Sequence, residues 1–326
     1  MKICVYGAGA IGGCIAVRLA QGGADVSVIA RGAQLAAIRA NGLTLRTHDA
    51  TFHAQVKATD TPAELGPQDA VIVTVKAPAL PSVAANIAPL LGPDTGVAFV
   101  MNGIPWWYFH AHGGALDGMR LDKIDPDEAL WRTVTPQRAI GGVVYCACSV
   151  PEPGVIEIEG PNNLVVLGEP DGTVSPRASA LADALKAGGM GAEVTPKIRD
   201  RVWNKLMGNL TTGTIAVLTQ STVATIFETQ ATAEIARRIV GEGNAIATAL
   251  GCDPGFEFEK RLVIFRRVHH KPSILQDLEL GRPMEIDGLF GVPLDLARMV
   301  DVPTPVLDML VALVKLRASG AGLYGG

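Results

Sequence analysis

Met1-Lys2-Ile3-Cys4-Val5-Tyr6-Gly7-Ala8-Gly9-Ala10-Ile11-Gly12 is the stretch from which the fold is read. A short run of alternating apolar residues ends at Gly7-x-Gly9-x-x-Gly12, and Ile15, Ala16, Leu19 and Ala20 then recur at helical spacing until Gly22-Gly23 stops the pattern. That order is strand, tight turn, helix. The three glycines have separable tasks: Gly7 permits the turn, Gly9 lets backbone approach a pyrophosphate, and Gly12 lets helix and strand pack closely. Gly7, Ala8, Gly9, Ala10, Ile11 and Gly12 are therefore expected to hold a dinucleotide, its pyrophosphate on the helix N-terminus where free amides and the helix dipole favour an anion. A plain glycine-rich turn is the alternative.

Moving outward, Ala24 to Arg31 reads as a second parallel strand, and its end bears on the nucleotide. A binder of the unphosphorylated dinucleotide would place Asp or Glu there for the ribose 2′-hydroxyl; this chain places Arg31. A planar, permanently charged guanidinium suits a 2′-phosphate, so NADP(H) is the expected cofactor. Asp69 to Val75 is a nearly continuous apolar run, as a strand buried on both faces requires. Lys76 follows it, and Asn102-Gly103 follows the next strand, Val97 to Met101. Ligands in open α/β sheets bind outside the carboxyl ends of strands, which places Lys76 and Asn102 on the cofactor side.

At 326 residues the chain has room for about two domains. Hydrophobic residues make up 48% and charged residues 18%, a compact globular balance with no segment disordered by composition. A net charge of −4 and the absence of a basic run argue against nucleic acid and anionic membranes, and favour a small-molecule partner. No apolar stretch is long enough to span a bilayer, and strand-forming residues from Lys2 onward leave no room for a cleavable leader, so a cytoplasmic location is expected. Five cysteines is an odd number in mostly apolar surroundings, which suggests reduced packing residues. Cys146-Ala147-Cys148 has no partner pair at zinc-finger spacing, and His110, His112, His269 and His270 lack acidic or cysteine partners at ligand spacing; no metal is expected.

The segment from Ile104 to Trp131 is aromatic-rich, with Trp106, Trp107, Tyr108 and Phe109. It is read either as a loop packed on the sheet edge or as an apolar lid. From Ile140 the pattern turns strand-rich: Val143 to Tyr145, Gly154 to Glu159 and Leu164 to Gly168 are expected as antiparallel strands finishing the sheet. A helix over Ser175 to Lys186 and a strand near Glu193 to Thr195 complete a first domain, 1–196. Beyond Pro196 the patterns are helical, with amphipathic runs over Arg199 to Thr219, Ala231 to Leu250, Pro272 to Leu280 and Thr304 to Arg317. The expected fold class is α/β: a Rossmann-type N-terminal dinucleotide-binding domain and an all-helical C-terminal domain, 197–326.

With Gly7 to Gly12, Arg31, Val75-Lys76-Ala77, Asn102-Gly103, Trp203-Asn204-Lys205-Leu206 to Asn209, and Ser273-Ile274-Leu275-Gln276-Asp277 through Glu285-Ile286-Asp287, the chain resembles the ketopantoate reductase family from Met1 to about Leu310. The Lys-Leu-x-x-Asn and Ser-x-Leu-Gln-Asp segments are more specific than the glycine turn. The resemblance implies NADPH-dependent reduction of 2-dehydropantoate to pantoate in pantothenate biosynthesis, with a helical domain flanking the active cleft. Reducing a ketone leaves negative charge on oxygen, which needs a proton donor. Lys205 matches the family's general acid, and Asn209, four residues on and on the same helix face, matches the residue that holds the substrate's hydroxyl or carbonyl. Ser273 matches the carboxylate contact, and Glu285 the acid near nicotinamide and ribose, with an ion pair to Arg282 as its structural alternative. A homodimer is left open.

Two departures bear on substrate. Pantoate-specific members tend to carry a second asparagine where this chain has Gly213, and an asparagine three residues before the serine where it has His270. Losing amide partners for a substrate hydroxyl alters discrimination. A bulkier or more apolar 2-oxo acid, suited by Gly213 and the tryptophans, is the runner-up, and a non-catalytic NADP(H) sensor the third reading.

Overall fold

β1 (Lys2–Tyr6) is apolar from Ile3 on and fully covered, and α1 (Ala10–Gln21) follows the glycine turn. In chain order there follow β2 (Asp25–Ile29), α2 (Gly32–Asn41), β3 (Leu43–Arg46), β4 (Thr51–Ala54), β5 (Lys57–Thr59), β6 (Gln68–Val73), α3 (Leu80–Asn86), β7 (Leu91–Val100), α4 (Ala129–Thr133), β8 (Ala139–Tyr145), β9 (Cys148–Glu152), β10 (Val155–Ile158), β11 (Leu164–Gly168), α5 (Pro176–Ala187) and β12 (Gly191–Val194). The computed structural model describes residues 1–325 and divides into two units. The first joins Met1–Met101 to Pro105–Ile198; the second joins Asn102–Ile104 to the chain from Arg199 onward.

The first unit's main sheet has eight strands in the order β12-β11-β8-β7-β6-β1-β2-β5. Every pairing is parallel except β11 with β8. Val5 pairs with Val28 on one side and Ile72 on the other, and the consecutive residues Ile3 to Tyr6 are all buried, so β1 is covered on both faces, as a parallel sheet flanked by helices requires. β1 to β6, with α1 and α2 between them, is the doubly wound arrangement expected from the glycine turn.

One expectation for the strand-rich stretch needs correction. Val143 to Tyr145 in β8 and Leu164 to Gly168 in β11 pair antiparallel, while β8 joins the sheet parallel to β7. Gly154 to Glu159, expected to finish the main sheet, instead supplies β10 of a separate four-stranded sheet, β4-β3-β10-β9. An alternating apolar strand fits either sheet equally well, and only pairing across more than a hundred residues decides between them: Val155 pairs with Thr44 and Ile156 with Leu45.

This second sheet covers the outer side of α1. A side chain at Gly13 would come within 2.5 Å of the Ile156 side chain. Gly12 to Leu19 are accordingly all buried, and α1 lacks the exposed polar stripe of an ordinary surface helix. At its far end Gly188 meets the Arg18 carbonyl so closely that a Cβ would stand 1.6 Å from it.

Residues 106–109 of the aromatic segment are core packing, while Trp131 is half-buried with the Arg120 guanidinium over its ring. Trp106, Trp107, Tyr108 and Phe109 are each at most 1% exposed. Trp106 meets Phe99 edge-on at 5.4 Å, and Trp107 lies over Gly141 of β8, where any side chain would overlap its ring. Burying two indoles against the sheet is worth roughly 4–6 kcal/mol each before ordering costs, a strong reason for the segment to stay down.

The second unit contains α6 (Ile198–Thr219), α7 (Val223–Glu228), α8 (Gln230–Ala249), α9 (Phe258–Phe265), α10 (Ser273–Glu279), a π-helical turn over Asp287–Gly291, α11 (Val292–Met299) and α12 (Pro305–Gly320). α6 begins at Ile198, the last residue of the first unit. α8 is amphipathic, burying Ala233, Ala236, Ile239, Val240, Gly243, Ile246 and Ala247. α7, α9 and α11 were not foreseen; each is eight residues or fewer, too short for a clear helical period. No helix is long and apolar enough to cross a membrane, among the described residues.

Candidate active site

The turn between β1 and α1 is held by backbone. The amides of Gly7 and Ala8 both donate to the Ile29 carbonyl, at 3.0 and 3.1 Å. Thr74 locks the other side, its hydroxyl donating to the Gly7 carbonyl at 2.7 Å and its amide to the Tyr6 carbonyl at 3.0 Å. Gly7 has φ of +107°, a value open to glycine. At Gly12 a Cβ would stand 2.0 Å from the Gly7 oxygen and 2.4 Å from Thr74 Oγ1, so helix and turn touch with nothing between them.

Gly9 is different: a Cβ there would meet nothing within 4 Å, and no side chain caps the helix it begins. Open approach over Gly9, uncapped first-turn amides and the positive end of α1 fit the pyrophosphate of a dinucleotide. Ala8, Ala10 and Ile11 complete this cradle; the Ala8 carbonyl is already taken by Gln34 Nε2 at 2.7 Å.

Arg31 stands past the end of β2 as the residue before α2, exposed, with a terminal nitrogen donating to Ser82 Oγ at 2.7 Å. Beneath it lies Tyr6, whose phenol burial pushes up and the Arg31 guanidinium pulls back. A cation aimed by a serine at the mouth of β2 suits an extra phosphate. β6 ends at Val73, two residues before the expected Val75, and Lys76 is exposed at the start of the short turn Ala77–Ala79. The structure therefore gathers Gly7 to Gly12, Arg31 and Lys76 at the carboxyl edge of one sheet.

Asn102 is not grouped with them. It belongs with Gly103 and Ile104 to the second unit, where the Ile104 amide donates to the Gly288 carbonyl at 3.2 Å. Gly103 (φ +81°) sits so close that a Cβ would be 2.3 Å from that carbonyl oxygen.

In the second unit α6 carries Lys205 and Asn209 one turn apart, both half-buried. Between them Gly208 faces open space, with nothing within 4 Å of an added Cβ. Asn209 Nδ2 is buried and finds no hydrogen-bond partner. Such a donor is rare in a folded protein and costs about 1–3 kcal/mol unless something accepts from it. The helix's threonines make no such demand: the hydroxyls of Thr211, Thr212, Thr214 and Thr219 each donate to the carbonyl four residues back, at 2.5 to 2.8 Å.

One further turn along α6, Gly213 marks a crossing. A Cβ there would stand 3.0 Å from Phe290 Cζ and 3.2 Å from Ile274 Cγ2. The contact brings the start of α10 and the π-turn onto α6, so Ser273, beside Ile274, and Glu285, just before the turn, join Lys205 and Asn209 in one unit. Ser273 is the first residue of α10 and exposed. Glu285 is 6% exposed whereas Arg282 is exposed. His270 is exposed as well, and its carbonyl accepts from the Val223 amide.

Sequence reasoning missed Thr74, Gly208 and Phe290. Thr74 reads as one more strand residue and Gly208 as a mid-helix irregularity. Phe290 gives no polar signal, and π-turns such as the one holding it recur at functional sites.

Comparison with known proteins bears on the whole length. The family described as "Ketopantoate reductase PanE/ApbA" matches residues 3–172, and its C-terminal counterpart matches residues 197–318. A 2-dehydropantoate 2-reductase of Mesorhizobium japonicum is 45% identical over 99% of this chain and 100% of its own. Among solved structures, a Ralstonia solanacearum protein assigned as a ketopantoate reductase superposes with a TM-score of 0.92 at 40% identity, covering 99% of each chain. D-mandelate dehydrogenase, at 22% identity and a TM-score of 0.82 over 99% of this chain and 100% of its own, shares the fold. A Rossmann-type first unit, a helical second unit and matches along nearly the full chain lead to one assignment: the protein belongs to the ketopantoate reductase family.

Proposed function

We propose that this chain is an oxidoreductase that reduces the ketone of 2-dehydropantoate to the hydroxyl of pantoate with NADPH, a step of pantothenate biosynthesis in the cytoplasm. The observation that carries the reading is the buried, unpartnered Asn209 Nδ2, one turn from Lys205 and beside the open space at Gly208. An amide donor and an ammonium on one helix face suit a small molecule with two adjacent oxygens. The 45% identical Mesorhizobium protein, a 2-dehydropantoate 2-reductase, supports the same substrate here.

Bound nicotinamide supplies the hydride. Lys205 then gives its proton to the ketone oxygen as charge develops on it. Asn209 donates to the substrate's hydroxyl or carbonyl, and Ser273 to its carboxylate. Residues 1–196 act as the NADP-binding domain: amides of Gly7 to Gly12 receive the pyrophosphate, Arg31 the 2′-phosphate, and Lys76 the cofactor's approach to the sheet edge. Residues 197–326 act as the catalytic domain, with Glu285 toward the nicotinamide ribose and Asn102 beside it. The partner is a small-molecule 2-oxo acid, and no residue is given a metal.

The bulkier-substrate reading loses most of its support. Phe290 and Ile274 fill the space that Gly213 leaves, and Trp106 and Trp107 are locked into the core of the first unit, while Trp131 is half-buried.

The test is oxidation of NADPH, followed by absorbance, with ketopantoate beside branched and aromatic 2-oxo acids. Preference for ketopantoate is expected, and Arg31→Ala should shrink the preference for NADPH over NADH about tenfold or more, the worth of one charge-assisted hydrogen bond. Turnover of another 2-oxo acid alone would overturn the substrate, and an unchanged nucleotide preference would overturn Arg31's role.

A further inference from the structure

Three thiols meet in the first unit where the proposed reaction has no use for them. Cys14 lies on α1, while Cys146 and Cys148 flank the link by which the chain leaves β8 of the large sheet and enters β9 of the small one. Their three Sγ atoms lie within 4.8 Å of one another, with Cys146 and Cys148 at 3.3 Å. Spacing along the chain pairs Cys146 with Cys148 and gives no hint of Cys14, more than a hundred residues earlier. All five cysteines of the chain are reduced thiols.

We propose that Cys14, Cys146 and Cys148 form a three-sulfur site for a soft monovalent metal ion, Cu(I). The donor set selects the ion. Thiolates suit Cu(I), zinc and iron–sulfur clusters, but structural zinc is closed by four ligands, and among the described residues no His, Cys, Asp or Glu joins the three as a fourth. The surroundings are apolar, since both half-buried cysteines pack against the first unit's hydrophobic core. That favours an ion of low coordination number over one that keeps water.

A compensating cation is built in. Arg18 follows Cys14 by one turn of α1, is 9% exposed, and sets its guanidinium over the Phe52 ring at 4.5 Å. Its Nε is buried without a hydrogen-bond partner. Each thiol that becomes a ligand gives its proton to solvent as its sulfur–metal bond forms, and no electron moves because the ion stays monovalent. Because each ligating thiol must give up its proton, binding strengthens as pH rises. The bound ion would fasten α1 to the crossover between the two sheets.

The reduced full-length protein, titrated anaerobically with Cu(I) against a chromophoric Cu(I) chelator, tests the site. One equivalent bound, with three sulfur neighbours by X-ray absorption, is expected. Cys146→Ser and Cys148→Ser, both at half-buried positions, should each weaken binding by more than about a hundredfold, beyond what loss of an outer-shell partner brings. Cys252→Ser, in the other unit, should bind as wild type. Failure to bind, binding unchanged in both variants, zinc taken in preference to Cu(I), or loss of two thiols to a disulfide in place of uptake would each overturn the proposal.

Discussion

Glycine does opposite work at the two ends of the proposed reaction. At Gly12 backbone meets backbone, and a Cβ would stand 2.0 Å from the Gly7 carbonyl oxygen. At Gly208 the same missing side chain leaves open space beside Lys205 and Asn209. The first glycine lets two elements touch; the second keeps them from filling a face of α6. In the proposed reaction a nucleotide that is the same in every turnover would be held by a rigid mould of amides, and substrate choice left to a few side chains around a gap.

The sharpest way to break this contrast is Lys205→Ala, which disturbs neither glycine. It should lower kcat by about 10²–10⁴-fold. A loss of less than tenfold would make α6 a surface that holds substrate without supplying the proton. Next comes Gly12→Ala, expected to cost about 1–3 kcal/mol by overpacking, with loss of dinucleotide binding measured by NADPH fluorescence. Normal binding and stability in that variant would show that the turn yields where it is described as rigid.

Asn209→Ala should lower kcat/KM about ten- to a hundredfold, the worth of one donor to a substrate oxygen, while raising thermal stability, because the cost of a buried unpartnered donor is removed and no internal partner is lost. A drop in stability with normal kinetics would place the amide's role in the fold. The smallest effect belongs to Gly208→Ala. Alanine at an open mid-helix position should stabilise by about 1 kcal/mol in denaturant unfolding, yet raise KM for the 2-oxo acid. If stability rises and KM stays constant, the space at Gly208 is not used.

What could be read in advance follows the same division. Gly7, Gly9 and Gly12 carry their meaning in spacing, because a turn, a close approach and a helix start are all local. The parallel sheet followed from apolar runs such as Ala70 to Val73. Membership of β10 in the smaller sheet was not local: Ile156 belongs beside Leu45, and nothing in either segment says so. β3, β4 and β5 are three or four residues long, too short for alternation to stand out. At the second unit, Lys205, Asn209, Ser273 and Glu285 were legible only through family motifs, since a helical lysine or a helix-start serine has many uses. That Asn209 Nδ2 lacks a partner, or that Phe290 closes the space beside Gly213, is a matter of packing among elements dozens of residues apart.

Asn102–Ile104 leaves the first unit for three residues and is held to Gly288 before the chain returns at Pro105. No single break in the gene can separate the two units. A polypeptide starting at Arg199 would lack the strand of chain that Gly103 seats on the Gly288 carbonyl, and its complement would end with that segment unseated. A truncation at residue 198 is thus not a clean excision of one unit, because three residues of the second travel with the first.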